Sequence, residues 1–353
     1  MLELLLDRYG DGTVLALAGA LVGLVFGAAA QHSRFCLRAA TVEVAQGKFG
    51  PKLSIWLIAF TTALATVQMA ILMGLLETDG TRQLAAVGSL SGALIGGVLF
   101  GAGMVLARGC ASRLLVLSAT GNLRAIVTGL VLTLVAQASL RGVLAPAREN
   151  LASLWTVSGG EARHILELMG LPVSIAALAA TSALIVSFQW SRHQGVAFSR
   201  ICAAAGVGLA VALGWFFTYQ IAQTSFEVIP VASVTFTGPS TDTLMGLVNA
   251  PALPLNFGVG LVPGVFVGAG LMAVASGEWR IQRFEADTPM ERYLIGASLM
   301  GFGSMLAGGC AVGAGMSGGA VLSLTAWVAV AAMWLGAVAT HRLLNLGMRG
   351  ATT

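Results

Sequence analysis

Three of the four cysteines stand in segments suited to handling a sulfur anion. Cys36 lies between Arg34 and Arg38 in GAAAQHSRFCLRAA (27–40), with His32 nearby. Cys110 follows Arg108 and Gly109 and precedes Arg113 in ARGCASR (107–113), and Cys310 follows Gly309 in AGGCAVGAGMSGG (307–319). A guanidinium pairs with oxyanions through its planar fork, and a thiol is a soft partner for a sulfur atom. Glycine clusters let a backbone approach closely and leave N–H groups open to a ligand, and helix N-termini directed there favour an anion. Each feature also has a plainer reading. A buried cysteine can be a small core residue, glycines can be packing contacts, and arginines can mark a basic cytoplasmic loop. The duplication of Cys110 and Cys310 inside Gly-rich breaks favours the ligand reading for those two. Cys202 has no glycine loop around it and reads as core. With no CxxC and no Cys/His ligand spacing, neither a metal site nor a thioredoxin-like pair is expected.

Such residues need a scaffold, and the composition says which kind. Hydrophobic residues make up 57% of the 353 and charged residues 10%. A soluble domain carries about 25% charged residues, so this chain is expected to lie in a lipid bilayer as a single membrane domain over 1–353. Its net charge of +4 needs no nucleic acid to explain it. Stretches of about 20 apolar residues predict nine transmembrane helices, near 13–30, 53–76, 89–107, 122–140, 171–189, 200–222, 256–275, 291–307 and 320–340. The acidic start, with Glu3, Asp7 and Asp11, reads as the approach to a retained first helix rather than a cleaved leader. The link 141–170 is expected to hold an interfacial helix, and the link 223–255 is rich in proline. Alternating the sides places 14 of the 19 Lys and Arg on the side reached after the first span. The positive-inside rule then puts the N-terminus outside and the C-terminus in the cytoplasm.

An internal repeat sharpens the picture. Residues 94–111, LIGGVLFGAGMVLARGCA, and 294–311, LIGASLMGFGSMLAGGCA, agree at 11 of 18 positions, glycines and cysteine included. The copies fall on the third and eighth spans, which cross in opposite directions. That is the pattern of an inverted-topology repeat, common among transporters, with pseudo-repeat halves near 13–142 and 171–342. The fold class predicted is therefore an all-α integral membrane protein with re-entrant Gly-rich loops, one dipping from each face and each carrying a cysteine. Upstream of the strong copies two pairings stay open. The glycine triplet 19, 23, 27 resembles 260, 264, 268, and SRFC (33–36) resembles SRIC (199–202).

The segments HSRFCLRAA (32–40), GAGMVLARGCASR (101–113), VTFTGPSTDTL (234–244) and GFGSMLAGGCAVGAGMSGG (301–319) resemble the YeeE/YedE family of bacterial membrane proteins, which carry the sulphur-transport domain. The likeness covers essentially the whole chain. It implies thiosulfate uptake across the inner membrane through a narrow-waisted bundle, with Cys36, Cys110 and Cys310 as the functional cysteines. It also implies a TusA-like cytoplasmic sulfur-carrier protein as a partner. No cofactor is expected, and no nucleotide-binding motif suggests ATP use.

Thiosulfate is a dianion with a soft terminal sulfur, and dehydrating it is costly. Arginines (Arg34, Arg38, Arg108, Arg113) and N–H groups around Gly109 and Gly309 can replace water at its oxygens. Neutral thiols can offer S–H···S contacts to its sulfur, and several weak sites in series allow release as well as capture. Three rival readings remain, one of them a structural membrane subunit with no pathway of its own. A membrane-embedded sulfurtransferase would carry a persulfide on an activated cysteine, and a transporter of selenium compounds or another sulfur anion would use the same scaffold.

Overall fold

A computed structural model describes residues 2–350 apart from 79, 250, 252 and 285–289. Among the described residues, nine helices are long and apolar enough to cross a membrane. They are Asp11–Ser33, Pro51–Leu72, Leu90–Leu106, Leu123–Arg141, Val173–His193, Phe198–Thr224, Phe257–Ala275, Met290–Leu306 and Leu324–Gly350, here the first to ninth spans. Each lies within a few residues of the stretch expected, except the ninth, which starts at 324 after a turn at 321–322 and runs on to 350. The protein is an all-α, multi-pass membrane protein. Among the described residues, its strands amount to Gly88–Ser89 paired antiparallel with Thr156–Val157. Large apolar side chains such as Leu17, Leu21, Leu130, Leu134, Leu178 and Val186 face outward, as bilayer-facing residues do. The link after the fourth span holds helices Ala145–Ser153 and Ile165–Met169, and the proline-rich link holds Thr237–Asn249.

Glycines set how the spans meet. A Cβ added at Gly96 would stand 2.5 Å from the Gly303 carbonyl oxygen, and one at Gly103 would stand 2.5 Å from that of Gly296. The third and eighth spans therefore cross antiparallel, backbone against backbone, as small residues permit. Gly96 and Gly296 are repeat equivalents, as are Gly103 and Gly303, so one contact maps onto the other when the copies are exchanged. The second triplet pattern has a different cause. Gly19, Gly23 and Gly27 of the first span lie against Phe257, Leu261 and Val265 of the seventh, while Gly260, Gly264 and Gly268 lie against Ala16, Ala20 and Leu24. Those two spans run parallel and resemble each other because each must accommodate the other.

Spacing links another set of elements. Short helices begin at Leu37 and Thr237 and again at Ala111 and Ala311, and spans begin at Leu90 and Met290; each pair is 200 residues apart. The succession span, short helix, span, span, short helix, span thus occurs twice. The first span corresponds to the sixth and the second to the seventh, and the fifth stands outside the scheme. The fifth span packs chiefly along the second. SRIC opens the sixth span whereas SRFC closes the first, so their likeness reflects no equivalence.

Candidate functional site

The three cysteines of interest share one backbone position. Cys36, Cys110 and Cys310 are each the N-cap, in extended conformation, of a short helix: Leu37–Ala45, Ala111–Ala119 and Ala311–Gly318. An N-cap side chain faces the unpaired N–H groups of the first turn. Cys310 Sγ accepts from Gly313 N–H at 3.5 Å, and the N–H groups of Ala39 and Arg113 face the sulfurs of Cys36 and Cys110. The helix Ala311–Gly318 is wound as a π-helix, a form frequent at functional sites. Sequence reasoning anticipated breaks at Cys110 and Cys310; the break at Cys36 looks like an ordinary loop in the sequence because no glycine marks it.

Gly109 and Gly309 are not the open donors their setting suggested. Their N–H groups bond to the Met104 and Ser304 carbonyls at 3.1 and 2.9 Å, closing the third and eighth spans. Gly309 has a steric role instead, since a Cβ there would stand 2.9 Å from the Ala314 nitrogen; at Gly109 the nearest atom is a Leu114 methyl at 3.4 Å. Cys202, expected in the core, is exposed on the outer side of the sixth span. Its turn of helix, at the start of the span, also exposes Phe198.

The thiols of Cys36 and Cys110 are neighbours, and Cys110 Sγ lies 3.4 Å from Ser112 Oγ. They sit beside a cavity of about 430 Å³ lined by Arg34, Cys36, Arg38, Arg108 and Arg113. Lys52 and Arg200 line it too; they stand far apart in sequence and at span starts, where nothing marks them as site residues. Arg38 Nε and Arg113 Nη1 are buried without a hydrogen-bond partner, which is costly unless a ligand serves them. Arg34 and Arg108 hold left-handed backbone, with φ of 58° and 55°, a strain that non-glycine residues rarely keep. Arg108 rests over the Tyr293 ring at 5.9 Å.

Among the described residues, Glu278 is the one carboxylate paired with this cluster. Arg34 Nη2 donates to Glu278 Oε1 at 2.9 Å and Gln31 Nε2 donates to Oε2 at 2.8 Å. The Arg34 hydrogen bond holds the Glu278 carboxyl below the ordinary carboxylate range. Five further cations therefore face the cavity with no such partner. A concentration of positive charge beside two thiols suits a soft, multiply charged anion.

Cys310 stands apart from this cluster. Its sulfur lies 3.9 Å from Thr235 Oγ1, in the extended segment before helix Thr237–Asn249. Phe26 joins the two regions, meeting Phe35 edge-to-face with ring centroids 6.5 Å apart and lying tilted against Phe236 at 5.0 Å.

A family model described as Sulphur transport matches residues 32–339, which takes in all three short helices and every arginine of the cavity. The chain belongs to that family. A relative from Escherichia coli (strain K12), named thiosulfate transporter TsuA, is 27% identical over 339 residues, covering 91% of this chain and 92% of its own. A second, from Spirochaeta thermophila and bearing the same name, is 28% identical over 330 residues, covering 88% and 93%.

Proposed function

We propose that this protein imports thiosulfate across the bacterial inner membrane, with the basic cavity opening to the cytoplasm and the N-terminus in the periplasm. The observation that carries the reading is the neighbouring thiols of Cys36 and Cys110 beside a cavity where Arg38 and Arg113 hold buried, unpartnered N–H groups. Two relatives named thiosulfate transporters along nearly their whole length support the choice of substrate. The repeat halves, near 13–142 and, with the fifth span left out, near 198–342, contribute one cysteine-capped break each at Cys110 and Cys310.

The ion passes without covalent chemistry. Cys310, Cys110 and Cys36 in turn offer S–H to its terminal sulfur, while Arg34, Arg38, Arg108 and Arg113 take its oxygens at the inner end. Each contact is weak enough to release, as conduction requires. A neutral thiol donates to the sulfur, whereas a thiolate would repel the dianion. On the cytoplasmic face a TusA-like carrier takes over the sulfur.

Labelled thiosulfate uptake into cells lacking other sulfur importers tests the scheme, with Cys36→Ala, Cys110→Ala, Cys310→Ala and Cys202→Ala at matched expression. The first three should abolish uptake and the fourth leave it intact. A requirement for Cys202, or none for the others, would overturn the pathway. A persulfide mass on Cys36 after exposure to thiosulfate would replace non-covalent passage with sulfur transfer.

A further inference from the structure

We infer that Thr235 is a substrate-contact residue, forming with Cys310 a second, chemically distinct site for an anion that has one soft sulfur and several hard oxygens. The inference rests on the reading that Cys310 meets the transported anion, and it concerns a residue outside the thiol series.

The Thr235 hydroxyl is set apart from its neighbours by its bonding. Many hydroxyls within the spans turn back on their own helix, as Thr61 does to Leu57, Thr128 to Arg124, Thr133 to Gly129 and Thr218 to Gly214, the usual resolution for such residues. Thr235 lies in no helix, and its one polar contact among the described residues is the Cys310 sulfur at 3.9 Å. A hydroxyl and a thiol at that separation make a weak pair and leave both free to serve a ligand.

Its position is fixed from both sides. Ser233 Oγ donates to the Val211 carbonyl at 2.6 Å, and Ser317 Oγ donates to the Val234 carbonyl at 2.6 Å. Trp215 Nε1 donates to the Ser317 carbonyl at 3.3 Å, so the segment is bound to the sixth span and to the helix that Cys310 caps. Gly313, whose N–H reaches the Cys310 sulfur, leaves the space the Thr235 side chain fills. A donor held this way needs no reorganisation when the ligand arrives.

The repeat shows what has been exchanged. By the spacing of 200, Cys110 corresponds to Cys310 and Cys36 to Phe236. In the first half two thiols are neighbours. In the second an aromatic ring takes the place of the cysteine, and the residue before it turns a hydroxyl towards the remaining thiol. Two thiols suit a sulfur atom alone. A thiol with a hydroxyl suits an ion with two different ends, the terminal sulfur at Cys310 and a sulfonate oxygen at Thr235. This site therefore orients the anion, sulfur end towards the thiols.

The test is thiosulfate uptake in proteoliposomes by wild type, Thr235→Val, Thr235→Ser and Cys310→Ala, each shown monodisperse by gel filtration. Valine keeps the shape, with a methyl standing where the hydroxyl lies against Gly313, and removes the hydrogen-bonding group. Losing one hydrogen bond to a charged ligand should raise the half-saturation concentration about tenfold in Thr235→Val, and Thr235→Ser should stay within about twofold of wild type. If Cys310→Ala stops uptake while Thr235→Val behaves as wild type, the inference is overturned and the pathway stands. If Thr235→Ser is as damaged as Thr235→Val, packing and not the hydroxyl matters, and the inference is again overturned. If Cys310→Ala is silent, the pathway reading fails and this site fails with it.

Discussion

Replacing Arg108 by glycine separates the cost of its backbone from the work of its side chain. Arg108 has φ 55°, and its repeat equivalent Gly308 has φ 79°. The same left-handed turn is thus built once with glycine and once with arginine. Left-handed backbone costs a non-glycine residue about 1–2 kcal/mol, which Arg108→Gly would recover. Against this, glycine adds about 0.4–1 kcal/mol of unfolded-chain entropy, and loss of the contact over Tyr293 removes about 0.5 kcal/mol. The terms nearly cancel, so the variant should melt within about 4 °C of wild type in detergent. The transport effect should be far larger. One unit charge about 8 Å from a dianion contributes roughly 1 kcal/mol at a dielectric of 80 and roughly 4 at 20. Arg108→Gly should therefore raise the half-saturation concentration for thiosulfate at least fivefold or so at low ionic strength, with a smaller gap in about 0.5 M salt. Arg108→Lys should keep most of the uptake. An unchanged half-saturation in stable Arg108→Gly would refute the claim that this charge serves the anion. A collapse in stability would show that the arginine is structural.

Three further outcomes rest on individual contacts. Gly309→Ala should cost about 1–3 kcal/mol by overpacking against Ala314, while Gly109→Ala should cost less than about 1 kcal/mol; detergent melting compares them, and equal costs would contradict the steric account. The Arg34–Glu278 pair is about half exposed and worth less than about 1 kcal/mol. Because the carboxyl is held below its usual range, that contribution exists at neutral pH and fades as pH falls through the folded value. Glu278→Gln should therefore melt slightly below wild type at pH 7 and converge with it below about pH 4, and a gap that widens on acidification would reverse the sign. Arg163, buried in the link after the fourth span, donates to the Ala86 carbonyl and, at 2.6 Å, to Thr325 Oγ1. Arg163→Leu should cost about 3 kcal/mol by leaving those acceptors unserved, read as a lower melting temperature with no change in half-saturation.

The spans were legible because 20-residue apolar runs have few alternatives in a chain with so little charge. The Cys110 and Cys310 breaks were legible because glycine marks both. The Cys36 break was hidden because arginine, not glycine, makes the left-handed turn at residue 34. Pairing of the first span with the sixth was hidden for another reason: equivalent spans share position, not pattern. The glycine triplets of the first and seventh spans record a contact between non-equivalent elements and so mimic a repeat. Thr235 lies in the family-like segment VTFTGPSTDTL (234–244), but that segment holds other hydroxyls too, and only its missing helical partner and the distance to Cys310 single it out.

The two halves keep a common scaffold but differ in charge. Arg34, Arg38, Arg108 and Arg113 correspond, at the spacing of 200, to Val234, Gly238, Gly308 and Gly313. These four arginines thus have no counterpart in the other half, although Arg200 of the sixth span also lines the cavity; on the proposed path one end holds the dianion while the other only orients it. Such an asymmetry fixes where the ion dwells but cannot drive net flux. With the basic end cytoplasmic, as proposed, a dianion entering against about 100 mV, inside negative, works against about 4.6 kcal/mol. A purely conductive path would equilibrate far below the outside concentration unless a cytoplasmic reaction removed the ion. Proteoliposomes with an imposed potassium-diffusion potential decide this point. Inside-positive vesicles should accumulate labelled thiosulfate and inside-negative vesicles should exclude it. Uptake that ignores the potential would mean that compensating cations travel with the anion and that the path does more than conduct.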